Sequence, residues 1–142
     1  MIITQPKELI GAFVNVRQGY NPAASWGEFN ALGLVRGGRL VVGVIYNDYS
    51  GMNVYMHVGA EDGKRWITPS FLFSAFDYPF NQLGMRRITA KVKAKNSKAI
   101  AFIENLGLEY EGTMRHYFKE DDALIYGMLK ANCRFLDIRK AA

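Results

Sequence analysis

Proton-transfer chemistry has few carriers in this chain: two histidines and one cysteine, set among tyrosines and carboxylates. His57 ordinarily titrates nearest neutrality and stands in an apolar stretch, NVYMHVGA, with Glu61 just beyond it. Either could take a proton from a nucleophile, although His57 as a hydrogen-bonded structural residue is an equal alternative. His116 and Tyr117 form a second pair able to handle a proton. His57, His116 and Cys133 lack the spacing of a zinc site, so no metal is expected. Anion binding is written elsewhere, in Gly63-Lys64-Arg65-Trp66 ahead of Thr68-Pro69. Free amides and the positive end of a helix attract anions. Taken alone this motif is weak, because a turn carrying two surface cations reads the same way.

The elements that must position these residues are marked in the sequence. From Arg87 to Ala94, Ile88, Ala90, Val92 and Ala94 alternate with Arg87, Thr89, Lys91 and Lys93, the period of a half-buried strand. Asn96 or Ser97 then caps a helix. Along it Ala99, Phe102, Ile103 and Leu106 share one face, and Gly107 ends it with Leu108 folding back onto Ile103. The chain is extended again from Leu108. Upstream, Pro6 opens a short amphipathic helix that ends near Gly19, and GYNPAASWGEFN is a loop carrying Tyr20 and Trp26. Those two rings cover a cleft or plug the core edge. FNALGLVRG, RLVVGVIYND and NVYMHVGA make three antiparallel strands, with turns at Gly37-Gly38 and from Asn47 to Gly51. Thr68 and Pro69 open a helix that Pro79 kinks or ends. KEDD is a turn, ALIYGMLKA a final strand, and NCRFLDIRKAA a short strand extension or cap. Hairpins followed by a strand–helix–strand crossover predict one mixed sheet with helices on both faces.

The 142 residues suit a single domain, and an apolar content of 49% with 22% charged residues is that of a soluble globular protein. No apolar run is long enough to span a membrane, and MIITQPKELIGAF lacks the pattern of a signal peptide. One cysteine fits a reducing cytoplasm. The net charge of +5 is compatible with solvated surface, a phosphorylated cofactor or nucleic acid. Lys91, Lys93, Lys95 and Lys98 form a basic run without a stacking-aromatic motif, so nucleic acid is not the expected partner.

Asn96-x-x-Ala99, Phe102, Glu104, Leu106-Gly107-Leu108, Glu111-Gly112 and Arg115, in this order, resemble the C-terminal half of the GNAT superfamily of acetyltransferases. The ribosomal-protein N-acetyltransferase branch is most similar, with Leu108 where it usually has phenylalanine. The resemblance implies one GNAT-like domain over residues 1–142. Its fold would be α/β, a mostly antiparallel mixed sheet with splayed central strands and helices on both faces. Acetyl-CoA would be the acyl donor. A primary amine (a protein N-terminus, a lysine or a small molecule) would attack it directly in a ternary complex. Met1 to Thr4 would supply the family's first strand, and its N-terminal helical region is shortened here.

In that fold NVYMHVGA parts from the strand near Arg87 and binds the pantetheine arm, which implicates His57 and Val58. The following loop and helix start hold the pyrophosphate, which implicates Gly63, Lys64, Arg65, Trp66 and Thr68. Aligning Val58 with the family's strand-ending valine puts Gly63 at its Arg/Gln position, Trp66 at its first glycine and Thr68 at its second small residue. A tryptophan cannot reproduce the close glycine approach, so Lys64 and Arg65 would compensate with charge and Thr68 with its hydroxyl. Asn96, Ser97, Ala99 and Phe102 would line the cofactor's other side, although a plain cap explains Asn96 and plain core explains Phe102. The tyrosine that many members use as general acid falls at Ile103, so that role is unavailable there. The catalytic candidates are then His57, Glu61 and Tyr117, with water and positioning as the alternative. A non-catalytic module of the same fold, binding CoA or a protein, is the competing reading. A homodimer through ALIYGMLK is a further expectation, because that strand would otherwise leave an exposed sheet edge.

Overall fold

Ladder pairing sets the architecture. A computed structural model describes residues 1–63 and 65–137. In chain order the elements are β1 (Ile2–Ile3), α1 (Lys7–Arg17), β2 (Phe29–Arg36), β3 (Arg39–Ser50), β4 (Asn53–Ala60), α2 (Pro69–Asp77), β5 (Arg87–Lys93), α3 (Ser97–Leu106), β6 (Glu109–Phe118) and β7 (Asp121–Leu129). The seven strands form one sheet in the order β1-β2-β3-β4-β5-β7-β6. Only β4 and β5 pair in parallel; every other neighbour is antiparallel.

Local chemistry explains most of the boundaries. Gly37 and Gly38 both take positive φ, 60° and 76°, which suits the tight β2–β3 hairpin. Thr68 Oγ1 accepts the Phe71 amide at 3.2 Å to start α2, and Asn96 Oδ1 accepts the Ala99 amide at 3.1 Å to start α3. Gly107, at φ 103°, closes α3, and Leu108 donates back to the Ile103 carbonyl. At Pro79 the α2 helix has already given way to a π-turn over Tyr78–Gln82.

Two expectations are corrected. The turn placed at Asn47 to Gly51 is shorter and lies later, at Gly51 and Met52: β3 runs on to Ser50 through a bulge at Asp48, whose φ is 53°. Asp tolerates that left-handed conformation, and the side chain of Asn47 is anchored in the interior. ALIYGMLK is not at the sheet edge: β7 lies between β5 and β6, and β6 is the edge. The α3 crossover carries the chain one strand position past β5, and β7 returns into the gap. Of the strand extension or cap expected after β7, the described residues form the cap, two 3₁₀ turns at Lys130–Asn132 and Arg134–Asp137. Phe135 stacks on Phe76 at 5.1 Å and seals the core there.

The sheet divides the interior into two cores. The larger lies under α2 and α3 and contains Val54, Met56, Phe71, Phe76, Ile88 and Val92. The smaller lies under α1, around Ile10, Val14 and Ile45. Helix α1 rests on two glycines, Gly43 in β3 and Gly59 in β4. A Cβ on Gly59 would sit 2.9 Å from Val14 Cα and 3.0 Å from Arg17 Cβ, so the helix backbone itself would have to move. Gly59→Ala is therefore expected to destabilise by about 1–3 kcal/mol, lowering the melting temperature by several degrees in a circular dichroism melt. Gly112→Ala, with open space around it, is the control and should stay within about 0.5 kcal/mol of wild type.

Candidate functional site

The parallel pair at the centre of the sheet is incomplete. β4 and β5 are in register only at Asn53↔Arg87, Val54↔Ile88 and Tyr55↔Thr89 and part beyond them. On its other side β4 stays paired to β3 as far as Ala60. Glu61 donates to the Val41 carbonyl next to the Val42↔Ala60 pair. The ladder bonds to β3 therefore fall at Gly59 and His57, and the backbone polar groups of Met56, Val58 and Ala60 turn toward the gap. A cavity of about 290 Å³ occupies this opening, with β4 and β5 as its walls and Asn96, Ala99, Phe102 and Ile103 of the α3 region on one side. Ala99 leaves room where a larger residue would close it. From the α1 side Gln18 Nε2 donates to the Val58 carbonyl at 3.0 Å, across the open edge.

Strand alternation sends successive β4 and β5 residues to opposite faces. Met56, Ile88, Ala90 and Val92 face α2 and α3; Tyr55, His57, Lys91 and Lys93 face the α1 side. Here His57 is held by Asn47. The Asn47 side-chain amide donates to the Trp26 carbonyl at 3.1 Å, so its oxygen is the atom facing His57 Nε2 at 2.8 Å. Nε2 therefore carries the proton and Nδ1 is the acceptor nitrogen. Trp26 packs on the imidazole at 4.8 Å and donates its own Nε1–H to Gly11. Burial, with the Lys91 charge adding to it, lowers the His57 pKa to about 4. Lys91 Nζ lies over the rings of Tyr55 (4.9 Å) and Tyr117 (4.5 Å) and donates to the Tyr117 hydroxyl at 2.7 Å. Tyr20 closes the same side, its pKa raised by burial and by Tyr117.

The structure brings together His57, Val58, Asn96, Ala99 and Phe102 around the cavity, and Tyr117 joins through Lys91. Glu61 lies elsewhere, in an ion pair with Arg39 at 2.9 Å. His116 has φ 56° in the β6–β7 irregularity, and its amide donates to Asp122. Ser97, Gly63, Arg65, Trp66 and Thr68 are not among the cavity's lining residues. Gly63 turns the loop at φ 98°, and the Arg65 carbonyl accepts from Arg36 at 2.7 Å. Lys64 lies outside the described residues. Trp66 is buried, at 7% exposure, edge-on to Phe71 and Phe102 at 6.0 and 5.5 Å. Its Nε1–H has no partner among the described residues. The expected loop tryptophan thus bridges α2 and α3. Lys91, Gln18 and Asn47 are the residues that sequence reasoning missed. Lys91 was findable, because it alternates against the buried Ala90 and Val92; the other two act through tertiary contacts.

The low His57 pKa has a thermodynamic consequence. In the unfolded chain histidine takes up its proton near pH 6.5, while in the fold it does so near 4. Between these values the unfolded state binds more protons, so stability falls as the pH drops. The expected loss attributable to His57 is about 2 kcal/mol at pH 5 relative to pH 7.5. Urea titrations of wild type and His57→Gln at both pH values check this, and the substitution should remove that part of the pH dependence.

No protein-family model matches the sequence, and no curated protein does. Solved structures do match it. A single-residue mutant of the spermidine N-acetyltransferase of Vibrio cholerae superposes with a TM-score of 0.77 at 15% identity, covering 94% of this chain and 95% of that one. The ribosomal-protein-S5-alanine acetyltransferase of Vibrio fischeri gives 0.71 at 13% identity, covering 94% and 93%. The ribosomal-protein-S18-alanine N-acetyltransferase of Escherichia coli gives 0.68 at 19% identity, covering 91% and 92%. At such identities the likeness is one of backbone architecture, and it extends over nearly the whole of each chain. This protein has the fold of the GNAT N-acetyltransferases.

Proposed function

We propose that this chain transfers an acetyl group from acetyl-CoA to a primary amine. The observation that carries the reading is the parting of β4 from β5, which leaves a polar strand edge beside a cavity reaching both faces of the sheet. An extended arm carrying amides suits the edge formed by Met56, Val58 and Ala60, in the manner of an added strand. Ala99 provides the width, and Asn96 the polar end. Trp66 Nε1 is a buried donor in want of an acceptor, close to the start of α2. The first helical amides of α2, with Lys64 and Arg65 in the loop, supply positive potential for phosphates. The donor's thioester supplies an activated acyl group. The amine nitrogen forms a bond to the acyl carbon as the carbon–sulfur bond breaks, and one proton passes from nitrogen to sulfur.

The chain's own residues orient this exchange. The β4 backbone fixes the acyl end, while His57, Tyr117 and Lys91 stand on the amine side. His57, neutral at physiological pH because burial lowers its pKa, is a weak base suited to relaying a proton. The names of the structural neighbours give two kinds of acceptor, spermidine and the alanine of a ribosomal protein. We place the activity in the cytoplasm, on the strength of the single buried cysteine; no helix among the described residues is long and apolar enough to cross a membrane. A non-catalytic CoA-binding module is the second reading, favoured by Ile103 at the tyrosine position and by Trp66 in place of a glycine.

Isothermal titration with acetyl-CoA tests the proposal, followed by thiol release in the presence of amines. Wild type is expected to bind in the micromolar range. Ala99→Phe, which fills the cavity, should weaken binding at least 10-fold, and Lys64→Ala with Arg65→Ala by about 10-fold. No binding by folded wild type would end the reading. Binding without turnover on any amine would leave the module.

A further inference from the structure

Three cations face the α1 side of the cavity, and no carboxylate lines it among the described residues: Arg17, Lys91 and Lys93 stand alone. Each is seated on aromatic rings. Lys91 lies between Tyr55 and Tyr117, Lys93 is 5.9 Å from the Tyr20 ring and 5.4 Å from Phe118, and Arg17 is 5.3 Å from Phe13. The ion pairs among the described residues lie elsewhere, Arg39 with Glu61 and Arg87 with Glu111. The nearby β6–β7 turn has acidic residues, but its aspartate oxygens accept backbone amides. Asp121 takes those of Lys95 and Asp122, and Asp122 takes that of His116.

Aromatic faces fix a cation in position without neutralising it. An opposing carboxylate would have done both. The result is a set of fixed positive charges around a part-enclosed space with no carboxylate on its wall among the described residues, Glu120 and Asp121 lining a neighbouring groove that Lys93 shares, and this focuses a positive potential into the cavity. Donor phosphates at the start of α2 do not account for these charges, because that helix is on the other face, the one that buries Ala90 and Val92. A polyammonium ligand is repelled here, while a ligand with an anionic group is held. The same field favours the neutral, nucleophilic form of an incoming amine.

We infer that the acceptor carries a carboxylate close to its reacting amine, bound by Lys91 and Lys93 on the α1 side of the β4–β5 opening. This rests on the acetyl-transfer reading above. An acidic amino acid and the N-terminus of an acidic peptide share that chemistry, and the test separates them.

Titrations into protein saturated with CoA would compare glutamate with glutaminamide, in which both carboxylates are amides, a peptide beginning Ala-Asp-Glu with one beginning Ala-Asn-Gln, and all of these with spermidine. The acid member of at least one pair should bind about 10-fold tighter than its amide counterpart. Whichever pair shows the preference identifies the source. Lys91→Gln with Lys93→Gln should reduce the preference below about 3-fold, and Lys91→Arg should keep it, with acetyl-CoA affinity unchanged within about 2-fold. If the double variant fails to fold, Lys93→Gln alone, at an exposed position, should reduce the preference in part. Equal binding of acid and amide in both pairs, or tighter binding of spermidine, would overturn the inference. So would a parallel loss of acetyl-CoA affinity in the variant, which would reassign the lysines to the donor's phosphates. An acid preference lost in the variant, with no acetylated product from any amine, would keep the ligand class and sink the transfer reading.

Discussion

The two halves of the sheet are joined by three residue pairs between β4 and β5, and the site exists because there are no more. A side-chain network fastens the closed end. Arg87 donates through Nε to Asn53, and through Nη2 to Glu111 at 2.7 Å and Thr89 at 3.2 Å, while Thr89 donates to Asn53. The Arg87–Glu111 pair reaches from β5 to β6 across β7, and it passes over Gly127, where a Cβ would fall 2.4 Å from the guanidinium. A half-exposed ion pair of this kind contributes only about 0–1 kcal/mol on its own. Its weight is geometric, because it ties the closed end of the β4–β5 pairing to the edge strand β6.

The open end is kept apart from both sides. Under the sheet α1 sits flush on Gly43 and Gly59, which brings Gln18 to the Val58 carbonyl and Arg17 and Tyr20 to the mouth of the gap. Above it α3 places Ala99 and Phe102 over the same gap. Because strand residues alternate, one run of β4 serves both faces: Met56 belongs to the core shared with α2 and α3, and His57 to the chamber under α1. The opening can thus be reached from opposite faces of the sheet without sharing one surface. The chamber under α1 is aromatic, cationic and part-buried. That combination lowers the His57 pKa and seats Lys91 between two rings.

Much of this frame was legible from local chemistry. Gly37-Gly38, Thr68-Pro69, Asn96 and Gly107 each act through their own or adjacent residues, and each sits in the turn, cap or stop expected of it. Glu111, read only as part of a family pattern, gains a physical reason as the partner of Arg87. What could not be read depends on residues distant in sequence. NDYSG looks like a turn, but Asn47 to Ser50 stay in the strand, anchored through Asn47 to Trp26 and His57 and through Tyr49 to Asn30. The insertion of β7 between β5 and β6 is a choice of topology that no local signal records. His57 has an ordinary pKa in any reading that lacks its burial. Lys91 shows its face by alternation, but the rings that hold it come from β4 and β6.

Trp66 is where the sequence and the site pull hardest against each other. A glycine-rich turn leaves backbone amides accessible to phosphate, whereas this indole is withdrawn to 7% exposure between Phe71 and Phe102. Its burial ties the β4–α2 loop to both helices, a gain in packing of aromatic surface. Against it stands the Nε1–H, without a partner among the described residues, and an unsatisfied buried donor costs about 1–3 kcal/mol. An acceptor atom entering from the cavity side of Phe102 would recover the cost on binding. The tryptophan thus fixes the β4–α2 loop by packing between α2 and α3, with one hydrogen bond unmade among the described residues.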